Sequence, residues 1–193
     1  MKSPIVVLFF IAILLSGCAG NRVYLNDEAD FGFYQKVGVL PFSNLTGDRT
    51  ASEKVTATLT TELLMANIIE VTNAGDFLVS ASKVIKSERA NLPEELTALE
   101  AKAIGEGAGV QGIFVGVVRD FAMTRSGQEE FPLVSILVRF VDCQSGQVIW
   151  SYETTRRGGP KFPIFSFGET HTLGDLNAKV CHDIISAFRK AVK

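Results

Sequence analysis

From Val110 onward, apolar residues occupy alternate positions on both faces of the extended chain. Ile113, Val115 and Val117 alternate with Phe114, Gly116 and Val118, and Leu133 to Val141 behaves in the same way. A period of two marks strands, and apolar side chains on both sides mark a sheet covered above and below. Gln144, Ser145 and Gly146 make a tight turn, after which Gln147 to Glu153 returns with Ile149, Trp150 and Tyr152. The segment Val110 to Glu153 therefore predicts an antiparallel three-strand meander. A sheet of this kind needs helices on its faces, and the rest of the sequence must supply them.

It does. Val37, Val39, Leu40 and Phe42 form a short buried strand, stopped by Pro41, Asn44 and Gly47. Asp48 or Thr50 caps the next helix, and Glu53, three residues after Thr50, fits a capping box. Val55, Leu59 and Leu63 then share one helical face. Ile68 to Val71 reads as a second strand, and Asn73 and Asp76 offer caps for a helix running to about Ser87. Pro93 suits the first turn of a further helix through Leu96, Leu99 and Ala103 that ends near Gly105. The last helix carries the stripe Leu173, Leu176, Val180, Ile184, Phe188 and Val192. The order β-α-β-α-α-β-β-β-α predicts an α/β fold. Its mixed β-sheet has a βαβ start and an antiparallel three-strand meander, with helices packed on it, as a single domain over residues 37–193.

The N-terminus points to a location. After Lys2, Ile5 to Leu15 is an unbroken apolar run. It is too short to span a bilayer, which takes about 20 residues, and it reads as an export signal. The run ends in Leu15-Ser16-Gly17-Cys18, which resembles the bacterial lipobox at all four positions. That resemblance implies cleavage after Gly17, so that residues 1–17 are a lipoprotein signal peptide, and lipidation of Cys18. Ala19 rather than Asp after the cysteine implies the outer membrane, with the domain on its periplasmic face. Residues 18–36 show no clear period and read as the lipidated cysteine and a tether. Fully stretched, that tether would reach about 60 Å.

Composition narrows the chemistry. With 19 basic and 21 acidic side chains the chain has a net charge of −2, without the concentrated positive field that nucleic acid requires. Gly105, Gly107, Gly109, Gly112 and Gly116 follow a helix and precede a strand, the reverse of the order in a phosphate cradle. They read as a helix stop followed by a closely packed strand. His171 and His182 have no third ligand at a metal spacing, no Gly-x-Ser-x-Gly motif is present, and Glu129 and Glu130 fall in a predicted turn. The expectation is a protein without catalytic residues, metal or cofactor. Whether Cys143 and Cys181 pair is left open by the sequence, which does not give their separation. The loop containing Arg156, Arg157, Lys161, Phe162, Phe165 and Phe167 mixes cations with aromatics. It is the candidate surface for docking on a partner protein or on the lipid interface.

Val37-Gly38-Val39-Leu40-Pro41-Phe42-Ser43-Asn44-Leu45-Thr46-Gly47-Asp48 resembles the opening shared by CsgG curli-secretion lipoproteins, LpoB activators of penicillin-binding proteins and the N-terminal domain of TolB. Val110 to Val118, and Val138 to Ser151 with its Asp142-Cys143-Gln144-Ser145-Gly146 turn, resemble two later strands of the same group. The resemblance implies a periplasmic α/β domain that assembles with other proteins and has no catalytic residues. Its members imply three roles: an assembly component of envelope or secretion machinery, a subunit of a CsgG-like channel, or an LpoB-like activator of a peptidoglycan synthase. The expected partners are the membrane through its lipid anchor, an envelope protein, and further copies of the chain.

Overall fold

The computed structural model describes residues 21–85, 96–127, 129–159 and 170–192. Among these residues, seven strands form one mixed sheet: β1 (Arg22–Leu25), β2 (Lys36–Val39), β3 (Ser43–Asn44), β4 (Glu70–Val71), β5 (Gly112–Ser126), β6 (Glu129–Asp142) and β7 (Val148–Arg157). The order across the sheet is β1-β7-β6-β5-β2-β4, with β3 also paired to β5. β2 is parallel to β4 and β5, whereas β5, β6 and β7 form the antiparallel meander. The sheet is covered by α1 (Ala51–Ala66), α2 (Ala74–Val84), α3 (Ala98–Ala108) and α4 (Leu173–Ala191).

Strand alternation divides the interior into two cores. Phe114, Phe140 and Trp150 point to one face, where they meet Val55, Leu59 and Leu63 of α1 and Val180, Ile184 and Phe188 of α4. Ile113, Val115 and Val141 point to the other, against Phe77 of α2 and Ala101 and Ile104 of α3. Phe188 is the hub of the first core. Its ring lies 4.9 Å from Phe114, 5.2 Å from Phe140 and 5.1 Å from Trp150, each close to edge-to-face. The expected mixed sheet with helices on both faces is thus present.

Four details differ from the sequence reading. Residues 22–34, read as tether, are built into the fold. Arg22–Leu25 pairs with β7, Asp30 caps a short 3-10 turn over Phe31–Phe33, and Phe31 packs 6.0 Å from Phe188. A four-residue edge strand is too short to show a period, and its pairing comes from β7. The capping box expected at Thr50 and Glu53 does not form, because Thr50 Oγ1 donates instead to Asp48 Oδ1 at 2.7 Å. The box lies at Thr97 and Glu100, so α3 starts at Ala98 and ends at Gly109 in the left-handed region, carrying Gly105 and Gly107 inside the helix. Pro93 lies outside the described residues. Lastly, the segment read as a turn around Glu129 and Glu130 is a long hairpin that reverses at Gly127, with Arg125 opposite Glu130 and Met123 opposite Pro132.

The glycines of β5 do what a close-packed strand needs. A methyl group on Gly112 would meet the Phe140 ring at 2.2 Å, and one on Gly116 would meet the Leu137 carbonyl oxygen at 2.7 Å.

Candidate functional site

β1 is the outermost strand beside β7. Its register sets Val23 opposite Tyr152 and Leu25 opposite Trp150, and residues directly opposite share a face. These four side chains therefore point to the face covered by α4. Between β1 and the C-terminal half of α4 the surface opens into a groove of about 520 Å³. Trp150 and Tyr152 form its floor, stacked with ring centroids 6.0 Å apart, while Val23, Leu25, Ala187 and Ala191 form its walls. Val23 is 58% exposed and Leu25 40% exposed, an unusual surface for an edge strand.

One end of the groove is polar. Arg156, at the end of β7, donates through Nη2 to Asp183 Oδ2 on α4 at 3.1 Å. Asn21 Oδ1 accepts from the buried Thr154 hydroxyl at 2.8 Å and pins the start of the described chain there. Burial and the nearby Asp183 carboxylate push the Tyr152 hydroxyl above its ordinary value, opposed by Arg156 and by a hydrogen bond with Asn21. The Trp150 indole Nε1 and the Arg156 Nε are buried and have no hydrogen-bond partner among the described residues.

Of the residues predicted to form a docking loop, Arg156 lines this groove and Arg157 covers the Phe131 ring, its guanidinium carbon 4.9 Å from the centroid. Lys161, Phe162, Phe165, Phe167 and the lipidation candidate Cys18 lie outside the described residues. Sequence reasoning missed Val23, Leu25 and Asp183. The only signal for the first two is a single alternation between Asn21 and Asn26.

A second crevice, of about 470 Å³, opens beyond the carboxyl ends of β2 and β4, between Pro41, α1 and Leu78 of α2. The chain leaves β2 for one face and β4 for the other, the switch-point position where open α/β sheets hold ligands. Three of its hydroxyls are already engaged. Ser52 donates to the Phe42 carbonyl, Thr56 Oγ1 accepts from the Phe42 amide at 3.0 Å, and Thr60 donates to the Thr56 carbonyl at 2.8 Å.

The two described cysteines are free and sit in different cores, Cys143 with α3 and Cys181 with α1 and α4. The sheet between them answers the open question of pairing. Burial pushes both thiols up to about 12, helped by Asp142 at Cys143 and Glu62 at Cys181. Neither is poised as a nucleophile.

No protein-family model matches the chain, and no curated protein does. Solved structures do. PelC from Paraburkholderia phytofirmans, solved as a dodecamer, is 16% identical, with 86% of this chain and 96% of that chain covered and a TM-score of 0.58. The lipoprotein GNA1162 from Neisseria meningitidis is 17% identical, with 79% and 99% covered and a TM-score of 0.54. The fold is the one these two proteins share. The C-terminal domain of LpoB from Salmonella enterica is matched more loosely, at 18% identity over 67% of this chain and 86% of that chain, with a TM-score of 0.44. The resemblance to CsgG and TolB rests on the sequence motifs.

Proposed function

We propose that this chain is a lipoprotein of the bacterial outer membrane, anchored through Cys18 on the periplasmic face, whose domain binds and assembles with envelope proteins without catalysing a reaction. The observation that carries this reading is the lipobox-like Leu15-Ser16-Gly17-Cys18, which ends three residues before the folded chain takes hold at Asn21. The fold shared with GNA1162, itself a lipoprotein, supports it. So does the candidate site, an apolar groove with one ion pair at its end.

Because Asn21 is held by Thr154 and β1 begins at Arg22, the tether shrinks to Ala19 and Gly20, and Cys18 lies within about 10 Å of Asn21. Such a tether holds the domain against its membrane. It disfavours an LpoB-like activator, which must reach across the cell wall. Assembly with further copies is favoured by one specific observation, the dodecamer of PelC. A ring-forming subunit, including one of a CsgG-like channel, is therefore the second reading.

The test is mass spectrometry of the purified mature chain, with membrane fractionation of Cys18→Ala beside it. A diacylglyceryl group on Cys18, and loss of membrane association in the variant, are expected. An unmodified Cys18 would overturn the proposal. Mass photometry of the lipidated protein then separates the roles: rings favour the subunit, and monomers or dimers the adaptor.

A further inference from the structure

We infer that the groove between β1 and α4 is the face of the domain that rests on the lipid leaflet and receives an acyl chain between Val23, Leu25 and Ala187. This rests on lipidation of Cys18, proposed above, and adds where the domain touches the membrane and through which residues.

The argument begins with reach. Asn21 is fixed at the polar end of the groove by Thr154. Only Ala19 and Gly20 separate it from Cys18, so the lipid lies within about 10 Å of the groove mouth. No other large apolar opening lies beside Asn21 among the described residues: the switch-point crevice is lined by β2, β4, α1 and α2, at the opposite edge of the sheet.

The second part is chemistry. Edge strands facing water are commonly blunted with charge, yet Val23 and Leu25 present bare aliphatic surface at the sheet's edge. Behind them the buried rings of Trp150 and Tyr152 give the groove an apolar floor. Cations border the apolar surface. Lys190 lines the groove, and Arg156 stands at its polar end, paired with Asp183. Long cationic side chains lay their stems on apolar surface and carry their charge to the headgroup phosphates. The occupant that fits an apolar floor, a lysine at the rim and a lipid tethered at the mouth is the leaflet itself.

Trp150 is the only tryptophan of the chain and lines the groove, so it reports occupancy directly. The experiment uses the full lipidated protein in phosphatidylglycerol–phosphatidylcholine vesicles whose acyl chains carry bromine, which quenches nearby indoles. Trp150 emission is expected to fall at least twofold relative to unbrominated vesicles. Val23→Asp, with Cys18 still lipidated and the fold intact by circular dichroism, is expected to recover most of it. Unquenched Trp150 in protein with lipid on Cys18 overturns this inference alone, as does quenching that Val23→Asp leaves unchanged. Unmodified Cys18 overturns it together with the proposed function. Disulfide crosslinking of Val23→Cys between copies, with Trp150 unquenched, also overturns it and makes the groove a seam between copies.

Discussion

Cys143 and Cys181 report on the interior from both sides of the sheet. Each stays protonated in the folded protein up to about 12, whereas thiols in an unfolded chain ionise near 9. Above pH 9 the unfolded state releases protons that the folded state retains, so stability falls as pH rises from 9. Native protein at pH 8 is expected to resist thiol-modifying reagents, with Cys181 becoming reactive only at the urea concentration that unfolds the domain and Cys143, beneath α3, at or below it. Rapid modification of either thiol without urea would contradict this burial. Asp48 shows the opposite sign. Its carboxylate accepts from Thr50 Oγ1 and the Thr50 amide at 2.7 and 2.8 Å and pairs with Lys54 at 3.0 Å, which hold it from the usual 3.8 down to about 2. Its contribution is fully present above pH 4 and is lost as pH falls through 2. NMR titration of the Asp48 carboxyl carbon checks this, and a midpoint at the ordinary carboxylate value would rule it out.

Among the elements, α3 owes its start to one hydroxyl. Thr97 Oγ1 accepts from the Glu100 amide at 3.2 Å, and Glu100 Oε2 accepts from the Thr97 amide at 2.9 Å. Thr97→Ala removes this cap and is expected to cost about 1 kcal/mol, read from the urea midpoint at constant slope. Gly116→Ala places a methyl group against the Leu137 carbonyl and the Phe42 ring, and overpacking of this kind costs about 1–3 kcal/mol by the same measurement. These two positions also show what sequence can convey. Gly116 is legible because a glycine inside a strand with apolar residues on both faces marks a close approach of neighbouring atoms. Thr97 and Thr50 carry the same Thr-x-x-Glu spacing with an acidic residue two positions before each, so the spacing alone does not tell them apart; at Thr50 the hydroxyl goes to the shorter Asp48 side chain instead. Long periodic elements, such as α4 and the meander, declare themselves through repetition. β1 does not, because four residues contain one alternation and its partner lies more than 120 positions away. For the same reason the candidate groove is only half visible in the sequence. Arg156 stands out as a cation among aromatics, while the strand that completes the groove looks like tether.

At the scale of the whole molecule, the sheet separates two unequal cores. On one side, the 19-residue α4 buries Leu176, Val180, Cys181, Ile184, Ile185 and Phe188, and Asn177 ties it to Thr58 of α1 at 2.8 Å. On the other, α2 and α3 have 11 residues each; α2 buries Phe77 and Ala81, and α3 buries Ala101, Ile104 and Gly105. A cavity of about 430 Å³ opens next to Cys143, beside Gly105 of α3. Regions with few buried contacts open at lower free energy than the global transition. Hydrogen exchange under native conditions is therefore expected to release the amides of α2 and α3 through a partial opening, while α1, α4 and the centre of β5–β7 exchange only by global unfolding. The split follows from topology. The face that stays closed carries the long C-terminal helix and the candidate groove, whose walls are β1 and α4, so the membrane-facing geometry is held by the more stable half of the domain. Equal protection across all four helices would show that the two cores open as one and would remove that asymmetry.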